Sequence, residues 1–497
     1  MNNDPLWMAD QVTYQIFPDR FAIGKPHTSE SKLALPVYGD PSYSRRRWDE
    51  MPENPSRGKD FFGGDLQGIT DRLDYIQDIG VTTLYLTPIF IAPSNHKYDT
   101  TDFFTVDPQF GGEKALKPLV RELKRRKMQL ILDAVFNHVS DSHPWFLAAR
   151  SGQKPYRDFF TFGENGEYEC WRGHRHMPEL KLENAALQKL LFRGKDSVLQ
   201  KYLDLGVDGW RFDVAVDVGL GIVRDMRKAL RQRFPSAVLL GEVMGFAGDW
   251  CNGDQAFHGV MNYYFRDAVL GWLAGEVSAR QMNHAAEEYY RGYGHGGAVR
   301  SWNMLSSHDT PRLRWTIHDA AQRRLAVVAQ FTLPGVPFVY YGEEIGMDGG
   351  HDPDCRRPMI WDENRWDRET LAFYKKIIGI RQSHAALRRG ELMVLGHKME
   401  DEALVFLRHT DQINETALVA INNSSQPLRR IVFTPYSHLY HALPMKNLLD
   451  SSQVVNMEAG NLRVEVPPRS AAIFVPDDTR LKNYRFFKPR NLARGIR

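Results

Sequence analysis

The chain has 497 residues, and its 64 Lys and Arg residues against 61 Asp and Glu residues give a formal net charge of +3. Hydrophobic residues make up 42% of the chain and charged residues 25%, a balance that is typical of globular proteins and excludes wholesale disorder. A net charge this near zero argues against a dedicated nucleic-acid-binding protein, because phosphate contacts need an excess of basic residues. At roughly 150 residues per domain, the length predicts about three domains.

Targeting signals and cysteine patterns are weak in this sequence. Cys170, Cys251 and Cys355 lie far apart and form no C-x-x-C pair, so we predict neither a zinc cage nor a disulfide framework. The first twelve residues place an acid before any base and lack an apolar core, unlike a secretory signal. The most apolar run, 327–341, contains two prolines and is shorter than the roughly 20 residues of a membrane-spanning helix. We therefore predict a cytoplasmic protein.

Short apolar segments alternate with helical patterns through the first 390 residues. These segments are rich in β-branched residues and do not alternate between apolar and polar residues, which predicts buried strands of a parallel sheet. Between them, 112–126 places apolar residues at helical spacing with Lys and Arg on the other face. Eight strands alternating with helices predict a (β/α)₈ TIM barrel. The predicted strands are Val12–Phe17, Val81–Leu86, Gln129–Asp133, Gly209–Val214, Val238–Glu242, Gly259–Asn262, Trp302–Ser306 and Phe338–Tyr341.

Four stretches depart from this alternation. Residues 24–60 are rich in Pro, Arg and Ser and predict a long first βα loop, and the segment after the third strand is too long for an ordinary loop. After about residue 390, short strand-like runs separated by turns predict a C-terminal antiparallel β-sandwich. The last segment holds seven Lys or Arg residues and no acid, which indicates a solvated or docked tail or a site for an anionic partner. The predicted domains are a barrel (1–138 and 196–388), an inserted domain B (139–195), a β-sandwich (389–478) and a basic tail (479–497).

Polar residues follow the C-terminal ends of several predicted strands. In a TIM barrel, the chemistry lies where strands end and βα loops begin. A single Asp at such a position is often the N-cap of a helix, and we expect a structural role of this kind for Asp133. Three further carboxylates follow strongly apolar residues, where burial is costly unless the carboxylate is paired or used. We therefore expect one mouth of the barrel to gather Asp213, Glu242, Asp309, His138, His308 and Arg211.

Cleavage of a glycosidic bond requires a set of this kind. A retaining hydrolase uses an ionised carboxylate as nucleophile and a protonated carboxyl as acid and then base, about 5 Å apart. Additional negative charge and hydrogen bonds to the sugar stabilise the oxocarbenium-like transition state. Arg211 lies two residues before Asp213 and shares its strand face, so its charge should keep Asp213 ionised. Glu242 follows apolar residues, and an apolar environment would keep its carboxyl protonated for the acid role.

At these positions the sequence resembles the α-amylase family of retaining glycoside hydrolases, glycoside hydrolase family thirteen. Four segments are similar to the defining regions of that family, in the same order: DAVFNH (133–138), GWRFDVAVD (209–217), GEV (241–243) and SSHDT (306–310). Other segments resemble the cyclomaltodextrinase, neopullulanase and maltogenic amylase branch: HKYDT (96–100), FGG (110–112) and DPDCRRPMIW (352–361). The bacterial maltodextrin glucosidases are similar too, and the resemblance covers essentially the whole chain.

The resemblance implies roles for the three carboxylates. Asp213 would be the nucleophile and Glu242 the acid/base. Asp309 would clamp sugar hydroxyls and stabilise the transition state, and Arg211 would orient Asp213. Asp133 is expected to be architectural.

It also implies substrate-binding residues. His138 and His308 would hydrogen-bond the sugar in the −1 subsite, and Tyr98 would be the stacking platform beneath it, unless it is an ordinary core tyrosine. Asp352 and Arg356 would bind the glucosyl unit on the non-reducing side, the alternative being a surface ion pair.

Three features depart from the branch. Relatives usually carry an N-terminal β-sandwich that contributes to a dimer and narrows the active site, whereas here the first barrel strand is predicted near Val12; the resemblance thus carries no prediction of a homo-oligomer. In the first loop (19–29), Lys25 and His27 occupy positions where a calcium site needs oxygen ligands, so that site looks degenerate. We expect no required cofactor or metal, with a structural calcium as the alternative. Met244 stands where the branch usually has a tryptophan, so a plus-side stacking surface is expected to be missing.

The sequence therefore predicts a cytoplasmic retaining hydrolase of α-1,4-glucans. Cyclodextrins, short maltodextrins and pullulan fragments are the expected substrates, with no nucleic-acid or membrane partner. Exo-release of glucose from maltodextrins and transglycosylation are the alternatives within this chemistry. A non-catalytic carbohydrate-binding protein on the same fold is a third, although such proteins typically lose a catalytic carboxylate. A barrel metallohydrolase lacks support from an H-E-x-x-H motif.

Overall fold

The first 390 residues form a closed parallel barrel. The computed structural model describes residues 5–254, 256–395, 403–410, 412, 414–434, 439 and 441–477. Each barrel strand pairs in parallel with its neighbours in the chain, and the first strand pairs with both the second and the last, which closes the barrel. The predicted TIM barrel is confirmed. Its strands are β1 (Thr13–Ile16), β2 (Thr83–Leu86), β3 (Gln129–Ala134), β4 (Gly209–Phe212), β5 (Val238–Val243), β6 (Gly259–Asn262), β7 (Trp302–Met304) and β8 (Val336–Tyr340).

Large side chains fill the inside of the barrel. Tyr85, Met261, Trp302 and Phe338 form one buried cluster with aliphatic residues of β3, β5 and β8. Successive residues of a strand point to opposite faces, so the other set of each strand packs outward against the helices. Because both faces are covered, the strands are apolar throughout, as the sequence pattern indicated.

Amphipathic helices surround the barrel. The predicted helix at 112–126 is observed at Gly112–Arg125, where its apolar residues are buried and Lys124 and Arg125 lie in the last turn, near the negative end of the helix dipole. Nine helices are labelled here: α1 (Leu66–Asp71), α2 (Leu73–Asp78), α3 (Gly112–Arg125), α4 (Val198–Leu205), α5 (Leu220–Arg231), α6 (Tyr263–Ala274), α7 (Ala279–Arg300), α8 (Ala320–Thr332) and α9 (Arg368–Ser383). Further helices, of four to seven residues, are Pro18–Phe21, Ser29–Leu33, Pro144–Arg150, Ala185–Gln188, Ala215–Val218, Gly248–Cys251, Leu313–Thr316 and Ala385–Arg389.

Three excursions leave the barrel at its C-terminal mouth. The first loop carries a two-stranded parallel ladder between Ser44–Arg45 and Asp60–Phe61. The loop after β2 carries an antiparallel pair, Phe90–Ile91 with Asp102–Val106. The segment after β3 folds mainly around short helices and isolated bridges, one of which joins His138 to Glu179. The limits of domain B at 139 and 195 stay a prediction.

The C-terminal part is an antiparallel sandwich. Its strands are β9 (Glu391–Val394), β10 (Ala403–His409), β11 (Thr416–Asn422), β12 (Leu428–Phe433), β13 (Pro444–Asn447), β14 (Val454–Asn456), β15 (Asn461–Val466) and β16 (Ser470–Pro476). Six strands form one sheet in the order β9-β10-β11-β16-β13-β14, and β12 pairs with β15 in a second sheet. One face of the larger sheet packs against the smaller sheet and the other against the barrel, so β10 and β11 are buried on both faces.

Two further sequence predictions concern the basic tail and membrane-spanning segments. The basic tail at 479–497 lies outside the described residues. Within the part of the chain that the structure describes, no helix is both long and apolar enough to cross a bilayer.

Candidate active site

Arg211 is the centre of a buried carboxylate cluster. It lies in β4 and its side chain is fully buried. Its Nη1 atom lies 2.9 Å from Oδ1 of Asp133 and 2.9 Å from Oδ1 of Asp213, and its Nη2 atom lies 2.8 Å from Oε1 of Glu242. The guanidinium carries several N–H donors in a rigid plane and can therefore contact three carboxylates at once. One cation thus holds the predicted nucleophile and the predicted acid/base side by side.

Asp133 belongs to this cluster and does not cap a helix. Its carboxylate accepts hydrogen bonds from the hydroxyl groups of Tyr85 (2.6 Å) and Tyr98 (3.0 Å) in addition to that of Arg211. The expected N-cap role is therefore wrong, because the next helix begins only at Pro144. Asp133 instead anchors the guanidinium from below the mouth.

Glu242 sits among hydrogen-bond donors. Its Oε2 atom accepts from the backbone N–H of Val214 at 2.9 Å, and its Oε1 atom accepts from the hydroxyl of Tyr263 at 3.3 Å. Together with Arg211, these contacts make the surroundings of the carboxyl polar, so the expected apolar environment is wrong. Val214 adopts a left-handed conformation with φ of 38°, which is rare for a β-branched residue and marks backbone strain. That strained turn, directly after Asp213, presents the N–H to Glu242.

Burial controls the protonation of the nucleophile candidate. It raises the pKa of Asp213 well above its ordinary value, the contact with Arg211 lowers the pKa, and the nearby charges of Glu242 and Asp133 raise it further. Burial likewise raises the pKa of Asp133, against the effect of Arg211. The expected contact between Arg211 and Asp213 is present, but desolvation outweighs its effect on the pKa.

The decrease of kcat/KM at acid pH, the acid limb of its pH profile, should therefore lie above the ordinary aspartate pKa of 3.8. Protonated Asp213 cannot attack a glycosidic carbon, so kcat/KM should fall as pH drops through the raised pKa. Because that pKa is higher in the folded state, the contribution of Asp213 to stability is present below pH 3.8 and is lost as pH rises through the raised value. Asp133→Asn should move the limb to lower pH by removing a neighbouring negative charge, whereas Asp204→Asn, at an exposed ion pair, should leave it in place. A wild-type limb at or below pH 3.8 would contradict this assignment.

His308, Tyr98 and Asp309 form the next layer of the site. The rings of Tyr98 and His308 are stacked, with centroids 5.5 Å apart and planes 6° apart. The Nε2 atom of His308 lies 2.6 Å from the Tyr98 hydroxyl and 3.2 Å from Oδ2 of Asp309. Asp309 is the most open of the three carboxylates, with 31% of its side chain exposed, so it can reach a ligand in the mouth.

A strained, buried lysine positions Tyr98. Lys97 has a positive φ of 65° and is fully buried. Its ammonium lies 2.7 Å from the carboxylate of Asp107 and donates to the carbonyl of Ala92 at 3.0 Å. This cation fixes the loop after β2 from within, and Tyr98 is thereby held at the mouth.

Arg356 links the predicted non-reducing side to Asp309. Its guanidinium lies 3.0 Å from Oδ1 of Asp352 and 3.1 Å from Oδ1 of Asp309, and its Nε atom donates to the carbonyl of His308 at 2.8 Å. Asp352 and Arg356 therefore form a partly buried bridge at the mouth and not an isolated surface pair. Their predicted role in sugar binding stays a prediction.

The inserted segment covers His138. Its ring stacks on Trp171, with centroids 5.3 Å apart, and the indole N–H of Trp171 donates to Asp217 at 3.1 Å. Burial lowers the pKa of His138 to about 4, so the ring is neutral at neutral pH. In the described structure its Nε2 atom is buried without a hydrogen-bond partner, which leaves that atom available for a ligand.

The first loop does not fit a calcium ion. Asp65 caps α1 through the N–H of Gly68 (2.7 Å) and also accepts from the N–H of Gly24 (3.0 Å), while the buried ammonium of Lys32 pairs with its other oxygen. Calcium requires six to eight oxygen ligands, whereas this carboxylate is already occupied by donors. Lys25 is exposed and supplies no oxygen from its side chain. Among the described residues, no group of three or more His, Cys, Asp or Glu side chains is placed to hold a metal ion.

Sequence reasoning missed several residues of this site. Gln15 contacts His308 and Tyr263 contacts Glu242, both of them predicted site residues, and Tyr85 contacts Asp133 in the same cluster. The criterion that found Asp213, a polar residue at the C-terminal end of an apolar strand, applies equally to Gln15 in β1. Trp171 carried no comparable signal, because it lies in an irregular segment.

A closed parallel barrel with buried carboxylates gathered at the C-terminal ends of its strands is the architecture of a barrel enzyme. Residues 15–366 match the catalytic domain of the α-amylase family. The chain is 38% identical to a cyclomaltodextrinase from a Bacillus species, over 84% of this chain and 74% of that protein. It is 37% identical to neopullulanase 2 from Thermoactinomyces vulgaris, over 87% of this chain and 72% of that protein.

A solved structure agrees with these matches. The ligand-free cyclic α-maltosyl-(1→6)-maltose hydrolase from Arthrobacter globiformis superposes with a TM-score of 0.79 at 29% identity, over 95% of this chain and 100% of that chain. The chain belongs to the α-amylase family of glycoside hydrolases, as its motifs predict.

Proposed function

We propose that the protein is a retaining hydrolase of α-1,4-glucosidic bonds in cyclodextrins and short maltodextrins. The observation that carries the proposal is the single guanidinium of Arg211, which contacts both Asp213 and Glu242 at the mouth of the barrel. Two carboxyl groups on one guanidinium are close enough for the roles of nucleophile and acid/base in double displacement. The names of the two relatives, a cyclomaltodextrinase and a neopullulanase, support this substrate class.

The remaining residues have roles in the same scheme. Asp213 attacks the anomeric carbon while Glu242 protonates the departing oxygen, and Glu242 then deprotonates the water that hydrolyses the glycosyl ester. Asp309 and His308 bind sugar hydroxyls whose hydrogen bonds strengthen as the ring becomes oxocarbenium-like. Tyr98 lies stacked with His308 and offers its ring to the same sugar.

A time-resolved product profile tests the substrate assignment. We expect β-cyclodextrin to be opened before linear maltotriose is cleaved, with pullulan as the third substrate. Release of glucose alone from chain ends would instead indicate a maltodextrin glucosidase, and products longer than the substrate would indicate transglycosylation. Binding of these glucans without any cleavage would indicate a carbohydrate-binding protein.

Proton NMR of the first products tests the mechanism. Double displacement retains configuration, so the α-anomer should appear first and mutarotate later. Appearance of the β-anomer first would exclude Asp213 as a covalent nucleophile.

We also propose that the first loop is held without calcium, because Lys32 supplies the cation at Asp65. The thermal midpoint of the wild-type protein should be the same in EDTA and in millimolar calcium. Lys32→Met should cost about 3 kcal/mol, since it leaves a buried carboxylate without its charge partner. Lys59→Met is the matched control, in the same loop, and should cost less than about 1 kcal/mol, because the Lys59 ammonium contacts the Ser42 hydroxyl and the Tyr43 ring and no buried carboxylate is stranded by its removal. A wild-type midpoint that rises on addition of calcium would refute the proposal.

A cytoplasmic location is proposed on the state of the thiols. Cys251 and Cys355 are buried free cysteines, which suits a reducing compartment. Fractionation of cells that express the protein, with activity measured in each fraction, tests this location.

A further inference from the structure

Gln15 contacts two different atoms of His308. Its side chain is fully buried at the C-terminal end of β1. Its amide nitrogen lies 2.7 Å from Nδ1 of the His308 ring, and its amide oxygen accepts from the backbone N–H of His308 at 3.3 Å. The two residues are 293 positions apart in the chain and meet because β1 and the loop after β7 both end at the barrel mouth.

The backbone contact fixes which way the amide faces. A backbone N–H can only donate, so the group of Gln15 that faces it must be the carbonyl oxygen. The NH₂ group therefore faces Nδ1, and Nδ1 must accept. Burial, with additional effects of Arg356 and Arg211, lowers the pKa of His308 well below its ordinary value, so the ring is neutral. A neutral imidazole whose Nδ1 accepts carries its proton on Nε2.

The other side of the ring is arranged for this proton. Nε2 faces the hydroxyl oxygen of Tyr98 at 2.6 Å and the carboxylate of Asp309 at 3.2 Å, both of which can accept a hydrogen bond. The Tyr98 hydroxyl can then donate to Asp133 at 3.0 Å. The side-chain hydrogen bonds from Gln15 through His308 and Tyr98 to Asp133 consequently run in one direction, toward the carboxylate cluster around Arg211.

We propose that Gln15 is a positioning residue that locks His308 in its Nε2–H tautomer, so that the single Nε2 proton is directed at the Tyr98 hydroxyl and the Asp309 carboxylate. The catalytic part of this inference rests on the proposed function. In the opposite tautomer, the Nε2 lone pair would face the Asp309 carboxylate. The Tyr98 hydroxyl would have to turn from Asp133 to donate to the ring. Both changes would weaken the hydrogen bonds that stabilise the transition state.

Two substitutions of Gln15 separate this role from packing. Gln15→Glu replaces the NH₂ donor by an acceptor, so Nδ1 should become protonated. Gln15→Met keeps the side-chain length and removes both polar groups. Gln330→Met is the matched control, because Gln330 is an equally buried amide whose nitrogen contacts only the backbone carbonyls of Asn303 and Phe338.

Nitrogen NMR of histidine-labelled full-length protein reads the tautomer directly, with the His308→Asn spectrum identifying the signal. We expect Nδ1 of His308 to be unprotonated in the wild type and in Gln330→Met, and protonated in Gln15→Glu. On β-cyclodextrin, kcat of Gln15→Glu should fall about 10- to 100-fold, by analogy with partners that orient metal-ligating histidines, with a smaller change in KM. Gln15→Met should lie between Gln15→Glu and the wild type, and Gln330→Met should keep the wild-type kcat.

Several results would overturn the proposal. A protonated Nδ1 in the wild type would do so, as would an unprotonated Nδ1 in a folded Gln15→Glu variant. A changed tautomer with kcat within twofold of the wild type would also contradict it. If Gln15→Glu does not fold, the wild-type spectrum and the kinetics of Gln15→Met decide. If the wild type hydrolyses no α-glucan, the proposed function fails while the tautomer assignment is still tested by the spectra.

Discussion

Asp213→Asn is expected to lower kcat on an α-1,4-glucan by about four orders of magnitude or more, because an amide cannot form the glycosyl ester. The fold should persist, since Arg211 keeps its contacts with Asp133 and Glu242. The thermal midpoint should stay the same or rise. Burial raises the pKa of Asp213, so its ionised form is costly to bury and its removal relieves repulsion among neighbouring acids. Activity and thermal unfolding measured on the same preparation test both statements.

Asp204→Asn is the matched control for this substitution. Asp204 forms a partly exposed ion pair with Arg233, and a pair of that kind contributes less than about 1 kcal/mol. The control should keep wild-type kcat. Turnover by Asp213→Asn within tenfold of wild type would rule out Asp213 as the nucleophile, and loss of cooperative unfolding would show that it is needed for the fold.

Arg211→Met is expected to destabilise the protein by at least about 3 kcal/mol and to abolish activity. The substitution removes a charge that contacts three buried acids at once, and breaking a buried ion pair from one side leaves uncompensated charge. Arg368→Met, at an exposed pair with Glu363, should cost less than about 1 kcal/mol. Urea unfolding at neutral pH gives both values.

A second substitution distinguishes lost charge balance from lost packing. Adding Asp133→Asn to Arg211→Met removes one of the stranded acids and should restore part of the lost stability without restoring activity. Lowering the pH should also reduce the difference in unfolding free energy between Arg211→Met and the wild type, because protonation neutralises the carboxylates that have lost their partner. If this difference does not change with pH or with the second substitution, packing, and not charge, explains the lost stability.

The sequence by itself determined the barrel and its chemistry. All eight barrel strands were predicted within about two residues of their observed ends, because apolar β-branched runs between helical patterns leave few alternatives. The positions of Asp213, Glu242 and Asp309 followed, since parallel strands place their C-terminal ends at one mouth. In the sandwich, β13 (Pro444–Asn447) and β14 (Val454–Asn456) are short and half-polar with no clear period, so their sequence carries no strand signal.

Only the tertiary structure decided which groups contact each other. Sequence spacing places residues on a face of one element, whereas closure of the barrel sets the register between elements that are far apart in the chain. Asp133 therefore proved to be a partner of Arg211 and not a cap, and Glu242 proved to be surrounded by donors. The pairing of Lys32 with Asp65 and of Gln15 with His308 likewise depends on loops that meet only in the folded chain. The candidate catalytic set could be predicted from local patterns, but its charge balance and hydrogen-bond directions arise from contacts between residues up to 293 positions apart.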